Sequence, residues 1–165
     1  MECLNCGGKM ETRRENHRYT ESGLDNVTLV GVEVRRCATC GEWELVLPRV
    51  EALHRSLALT LVRKRVRLTA KEVRFLRKYL GFSGEDFARR MHVAPETVSR
   101  WETGKQDMGW TAEMVLRLMV VHEERMTDYH LAELEEVDVE KRQSELMAFQ
   151  SVQAHWEPAD LGAQV

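Results

Sequence analysis

No run of 18 apolar residues occurs in the 165 residues of the chain. A transmembrane helix needs about that length of hydrocarbon-compatible sequence, so none is expected. The first residues, Met-Glu-Cys-Leu, carry no basic stretch followed by an apolar one. A secretory signal is therefore not expected, and the expected location is cytoplasmic. There is also no nucleophile motif, no phosphate-cradling glycine loop and no open metal site, so the chain is not expected to be an enzyme. Large apolar side chains are scarce before residue 43, and a segment of that size builds little core without help. Cysteine is scarce too, at four residues, but its placement is the strongest signal present.

Cys3-Leu-Asn-Cys6-Gly7 opens the chain, and Cys37-Ala-Thr-Cys40-Gly41 repeats the pattern. Two such pairs offer four thiolates, the number that a closed tetrahedral zinc site uses. The glycine after each pair suits a tight turn with amides directed at sulfur. In a reducing compartment, paired cysteines hold metal more often than they form disulfides. One structural Zn2+ on Cys3, Cys6, Cys37 and Cys40 is the expectation. Such an ion contributes on the order of 10 kcal/mol to folds of this kind. A redox Cys-x-x-Cys needs a βαβ setting, which neither pair has. His17 and His54 are the alternative ligands, and each reads as a surface histidine. Between the pairs, Glu21–Asn26 is turn chemistry and Val27–Val34 is β-branched, so a long hairpin is expected, followed by a short strand at Trp43–Leu47. Pro48 is expected to open a helix with an apolar stripe at Val50, Leu53, Leu57 and Leu61.

Charge is unevenly distributed. Residues 1–61 carry 8 basic and 9 acidic side chains, residues 62–105 carry 12 and 5, and residues 106–165 carry 4 and 13. A basic middle between neutral and acidic flanks suits contact with a polyanion, while the competing reading is a solvated surface.

Within the middle, Thr69-Ala-Lys-Glu72 is a capping box and Gly81 is a C-terminal glycine. Ser83-Gly-Glu-Asp86 opens a short helix to Met91. His92-Val-Ala is a turn, and Pro95 stands at the first position of a helix that Gly104 closes. Two short helices across a three-residue turn form a helix-turn-helix pattern. Phe87, Ala88, Met91, Val93, Val98 and Trp101 are its expected core. A later helix from Trp110 is expected to complete that core with Met114, Val115, Leu118, Met119 and Val121. Glu96, Thr97 and Arg100 then share the outer face of the second helix. An arginine fork there can bond guanine, Glu96 can accept from cytosine, and Thr97 can touch a thymine methyl. Ser83, Ser99, Lys105 and Gln106 suit phosphate contacts. A plain helical bundle with a solvated face is the alternative.

Pro95-Glu-Thr-Val-Ser-Arg-Trp-Glu-Thr-Gly104 resembles the recognition helix of the Xre (Cro-repressor-like) family, and the two Cys-x-x-Cys-Gly motifs resemble a YgiT-type zinc finger. In this order they resemble MqsA-type antitoxins and their stand-alone regulator relatives, over residues 1 to about 125. The resemblance implies zinc on the four cysteines, a base contact at the position of Arg100, and a homodimer on double-stranded DNA with a palindromic operator. For true antitoxins it implies an mRNA-interferase toxin held by the zinc module. The family often has Asn where this chain has Glu96.

The expected fold is α+β. It comprises a zinc-bound β-hairpin module (1–61), a basic linker (62–68), an all-α lambda-repressor-like helix-turn-helix domain (69–125) and an acidic helical tail (126–165). A last helix in that tail runs from Asp138 through Phe149, and the end from Trp156 onward is expected to fray. Leu131, Leu134, Leu146, Met147 and Phe149 are read either as a dimerisation or partner surface or as cover for the tail's own core. The expected function is a DNA-binding transcriptional repressor, with an autoregulating antitoxin as the alternative.

Overall fold

Residues 10–37 fold back on themselves as the long antiparallel hairpin that the turn chemistry predicts. In the computed structural model, which describes residues 1–161, strand β1 (Met10–Arg18) pairs with β2 (Val27–Cys37), from Met10 opposite Cys37 to Arg18 opposite Thr28. The register shifts once. Glu15 faces Val32 and His17 faces Leu29, so β2 has one residue more than β1 between those pairs. Gly31 lies in that stretch at φ 61°, and its N–H donates to Asn16 Oδ1 at 3.1 Å. This is a bulge of the glycine type, which only a residue free of Cβ strain adopts readily. It also explains the apolar pattern. Val27 and Leu29 are buried before it, Val32 and Val34 after it, so the buried parity changes from odd to even across the additional residue.

Two compact units form, and neither follows chain order. The first comprises Met1–Thr20, Asp25–Leu53 and the residues from Leu146 onward, and the second Glu21–Leu24 and His54–Glu145. In the first unit, β3 (Trp43–Val46) pairs antiparallel with residues 33–36 of β2. The tail supplies β6 (Met147–Val152), which pairs in parallel with residues 27–30 of β2, and β7 (His155–Pro158), which pairs antiparallel with β6. Gln153 and Ala154 connect β6 to β7, both at positive φ (49° and 64°), as a two-residue hairpin turn of the I′ kind requires. Phe149 and Trp156 are buried, and the Trp156 indole N–H donates to the Pro48 carbonyl at 2.8 Å.

These strands correct the expectation of a helical tail. Asp138 caps no helix, because Asp138–Arg142 is itself a strand (β5) and Met147–Val152 is another. Trp156 lies in a paired strand and is not frayed. The one named helix after residue 125 among the described residues is α6 (Ala132–Glu135). The candidate surface divides accordingly. Leu131 and Leu146 are exposed, while Leu134, Met147 and Phe149 are buried. The last residues of the expected tail, 162–165, lie outside the described residues.

The second unit holds most of the helix. Helix α1 (Val50–Val62) begins two residues after Pro48, so that proline precedes the helix instead of opening it; the division between units falls within α1, after Leu53. Then come β4 (Val66–Arg67), α2 (Ala70–Tyr79), α3 (Gly84–Met91), α4 (Pro95–Thr103) and α5 (Trp110–Glu123). The α2 capping box forms: Thr69 Oγ1 accepts from the Glu72 amide, and the Glu72 carboxylate accepts from the Thr69 amide at 2.8 Å. Residues 62–68, expected as a basic linker, are largely built into the second unit. Val66 and Arg67 pair with β5, Leu68 is fully buried, and Lys64 and Arg67 are buried with carboxylate partners.

Helix α5 is turned opposite to its expected orientation. Its buried residues are Glu113, Leu116, Arg117 and Val120; Val115 is exposed, and Met114, Leu118, Met119 and Val121 are half-buried. The helix is apolar on nearly every side, so its hydrophobic pattern selects no face. The Glu113–Arg117 pair selects it. The guanidinium of Arg117 donates to the carbonyls of Val62 (3.1 Å), Lys64 (2.7 Å) and Val66 (2.9 Å) and to Glu113 Oε1. Glu113 also accepts from the Leu68 amide at 3.0 Å and from Arg67 at 2.6 Å. A buried charge is tolerable when it is paired and fully hydrogen-bonded, and this network meets that condition.

Candidate metal centre and helix-pair face

Each Cys-x-x-Cys folds into the same knuckle. In the first, the Gly7 amide donates to the Cys3 carbonyl and the Cys3 amide to the Gly8 carbonyl, both at 2.8 Å. In the second, Gly41 donates to Cys37 at 3.0 Å and Cys37 to Glu42 at 2.8 Å. Gly7 and Gly41 sit at φ 71° and 76°, which accounts for glycine at both places. The pairing of Met10 with Cys37 closes the open end of the hairpin and brings the knuckles together.

The four Sγ atoms lie within 4.8 Å of one another. Cys3 and Cys40 are 3.6 Å apart, Cys6 and Cys37 3.5 Å. A disulfide would require about 2.05 Å, and all four cysteines are free. Sulfurs at the corners of a tetrahedron with bonds of about 2.3 Å to a central ion stand about 3.8 Å apart. The observed spacing fits that figure, so the cluster is compatible with one metal ion held by four sulfurs. Cys3 and Cys37 are buried with Met10, while Cys6 and Cys40 face outward. A Cβ on Gly8 would stand 2.6 Å from Thr39 Oγ1 and 3.1 Å from Cys37 Sγ, so only glycine lets the knuckles approach this closely.

Backbone amides are directed at the sulfurs. The amides of Cys40 and Thr39 lower the Cys37 thiol to about 6. The Gly8 amide acts in the same sense on Cys6, from 3.4 Å, but the Cys40 and Cys37 sulfurs and burial outweigh it, and that thiol is pushed up to about 12. Cys6 and Cys37 are thus shifted in opposite senses, and a bound cation would compensate negative charge placed on both sulfurs. His17 and His54 are elsewhere: His17 lies beside Trp43, ring centres 5.5 Å apart and tilted by 43°, and His54 meets Phe75 edge-on at 5.9 Å.

In the second unit, residues 92–94 join α3 to α4. Ser83 caps α3: its Oγ accepts from the Asp86 amide at 3.0 Å and donates to the Asp86 carboxylate at 2.8 Å. That bond, with Arg89 at 3.0 Å adding to it against partial desolvation, holds the Asp86 carboxyl below its usual range. His92 takes the left-handed conformation, at φ 52°. Pro95 begins α4, and Gly104 ends it at φ 74°. Phe87, Ala88, Val98 and Trp101 are buried, Met91 and Val93 half-buried. Arg77 of α2 grips Glu102 of α4 with both arms of its fork, and its third nitrogen donates to the Phe82 carbonyl at 2.6 Å. This pair, absent from the sequence reading, fixes the inner side of α4. Arg77 had a visible signal only as a basic residue in the last turn of α2.

With Val98 and Trp101 inward, Glu96 and Arg100 are exposed on α4 and Thr97 is half-buried. Ser83, Ser99, Lys105 and Gln106 are all exposed. Ser83 and Ser99 line a cleft of about 510 Å³ together with Arg74, Gly84, Glu85 and Thr103. Lys105 and Gln106 belong instead to the loop after α4, where both amides donate to the Arg100 carbonyl, at 3.0 and 3.2 Å.

The basic block of the sequence is less free than its count. Among its twelve cations, Arg63, Lys64, Arg65, Arg67, Arg77 and Arg89 form ion pairs. Four of the carboxylates involved, Glu113, Asp128, Glu133 and Glu136, lie beyond residue 105. Part of the acidic excess that follows is thus counter-charge of the basic segment. Arg74, Arg100 and Lys105 are exposed and lie outside these pairs. No helix among the described residues is long and apolar enough to cross a membrane. No family model, curated protein or solved structure matches the chain.

Proposed function

We propose that the chain is a sequence-specific DNA-binding transcriptional repressor whose α3–turn–α4 pair is a helix-turn-helix and whose four cysteines hold a structural zinc ion. The observation that carries the reading is the two-sided build of α4. Val98 and Trp101 are buried and Glu102 is gripped by Arg77, while Glu96, Thr97 and Arg100 occupy the side left to solvent. A recognition helix needs this division, because base-edge contacts are read only from a helix held in fixed orientation. Arg100 presents its fork to guanine, Glu96 accepts from cytosine, and Thr97 meets a thymine methyl. Ser83, Ser99, Lys105 and Gln106 contact phosphates. Residues 1–125 support the reading by their resemblance to MqsA-type regulators, with a homodimer on a palindromic operator. Four sulfurs leave no coordination position for water, so the metal serves the fold and not a reaction.

Selection of bound fragments from random double-stranded DNA tests the proposal. Arg100→Ala is expected to lose about 1–3 kcal/mol of specific binding and to relax one base position. Unchanged affinity and selectivity in that variant refute the assignment of α4.

A further inference from the structure

The geometry points to Arg142, at the end of β5 in the acidic tail, as a positioning residue for the loop that carries Lys105 and Gln106; this inference rests on the DNA-binding reading above. The loop is held at both ends. At its front, the Lys105 and Gln106 amides are tied to the last turn of α4 through the Arg100 carbonyl. At its rear, Met108 is buried and its carbonyl accepts from two guanidinium groups, that of Arg67 and that of Arg142, the latter at 3.1 Å. Arg142 also donates to the Leu68 carbonyl, immediately before the Thr69 cap of α2, and its Nε stands 3.5 Å from the Asp107 carboxylate. One planar fork therefore joins the start of α2 to the rear of the loop and steadies Asp107. Between the anchors, Lys105, Gln106 and Asp107 are exposed. A three-residue span held at both ends presents its side chains at a defined height beside α4, which phosphate contacts need in order to set register.

The tail reaches this place through β5, which pairs with β4 and whose Asp138 amide donates to the Arg65 carbonyl at 2.7 Å. Arg142 is a cation in a segment of net negative charge, yet its two terminal nitrogens donate to main-chain carbonyls of the same unit, with the carboxylates of Asp107 (3.5 Å) and Glu113 (4.0 Å) farther off. Its geometry is that of a bracket. A lysine would keep the charge but serve as a point donor, unable to match the fork.

The test uses the full-length, metal-loaded protein. Arg142→Ala is expected to fold, because Arg67 still serves the Met108 carbonyl; an unchanged thermal midpoint to within a few degrees checks this. In the free variant, amide exchange at residues 105–108 accelerates relative to α3 and α4. On the selected operator, affinity falls roughly tenfold, the size of a coupling between neighbouring groups, and the slope of log affinity against log salt falls by about 1, one phosphate contact. In a Lys105→Ala/Gln106→Ala background, Arg142→Ala produces no further loss. Arg142→Lys behaves like Arg142→Ala. Full restoration by lysine, or an equal loss in the double-alanine background, overturns the positioning role in favour of a direct charge effect. Unchanged exchange at 105–108, with operator binding intact in the parent, overturns the bracket by itself. Failure of the parent to bind any selected DNA overturns the function proposed above and this role with it.

Discussion

Replacing Arg117 with methionine tests the buried network that orients α5. Methionine fills most of the volume and keeps helix propensity, so the change isolates the lost donors. Three main-chain carbonyls, those of Val62, Lys64 and Val66, lose their contacts with the guanidinium, and Glu113 loses one of its three cationic partners, keeping Arg67 and the more distant Arg142. An unpaired buried polar group costs about 1–3 kcal/mol. Breaking a buried pair by deleting one partner costs about 3–5 kcal/mol. The three carbonyls by themselves imply at least about 3 kcal/mol and the broken pair about 3–5 kcal/mol, so a loss of about 3 kcal/mol or more is expected, a large part of the roughly 5–15 kcal/mol typical of a domain. Urea unfolding followed by far-UV ellipticity reads the second unit, where nearly all the helix lies, and a lower midpoint at unchanged slope reports the loss. Trp110 also loses the guanidinium 5.9 Å from its ring centre, so its emission should change in the folded state. A loss below about 1 kcal/mol at unchanged slope would refute the argument, because the three carbonyls would then have found other donors or water.

Two further outcomes concern the cysteines and the α3 cap. The purified chain should bind one tetrathiolate metal ion; Cys40→Ser should lower its affinity and, on chelation, release the knuckles before the helices of the second unit, as amide exchange at residues 3–8 and 37–42 would report. Stoichiometry well below one with four titratable thiols would contradict the site. Asp86 should titrate below the ordinary aspartate range because Ser83 and Arg89 favour its charged form, and NMR titration of Ser83→Ala should show it moving back up. The sign follows: a depressed folded-state value stabilises above the unfolded value and is lost as the pH falls through the folded one, so this cap weakens only in acid.

Local chemistry was legible wherever its cause lies within a few residues. The capping box at Thr69, the Ser83 cap, Pro95 at the start of α4 and the closing Gly104 are each set by neighbouring side chains and φ preferences. The convergence of the four cysteines was legible as well, because two knuckles and a hairpin leave few places for the thiols to go. The face of α5 was not legible. Its expected core of Met114, Val115, Leu118, Met119 and Val121 is more apolar than the stripe that is actually buried, Glu113, Leu116, Arg117 and Val120, because the deciding groups are two charges that a hydrophobic reading places outside. The β6–β7 hairpin was missed for a related reason: Gln153-Ala154 lacks the Asn-Gly or Asp-Gly signature of its turn, and parallel pairing with β2 leaves no mark on either strand alone.

The amino-acid sequence by itself determined the knuckles, the caps, the turn between α3 and α4 and the extent of most helices, because those follow from steric and hydrogen-bonding rules acting over a turn or two of chain. Tertiary structure alone decided which strand completes the first sheet, which side of α5 is buried and which charges remain free. Those choices depend on groups far apart in sequence. Arg117 faces inward because carbonyls some fifty positions earlier await its donors, and the basic middle is partly neutralised because its carboxylate partners fold back from the tail. A charge count cannot register such pairing, since desolvated ions are stable only once the partner is in place.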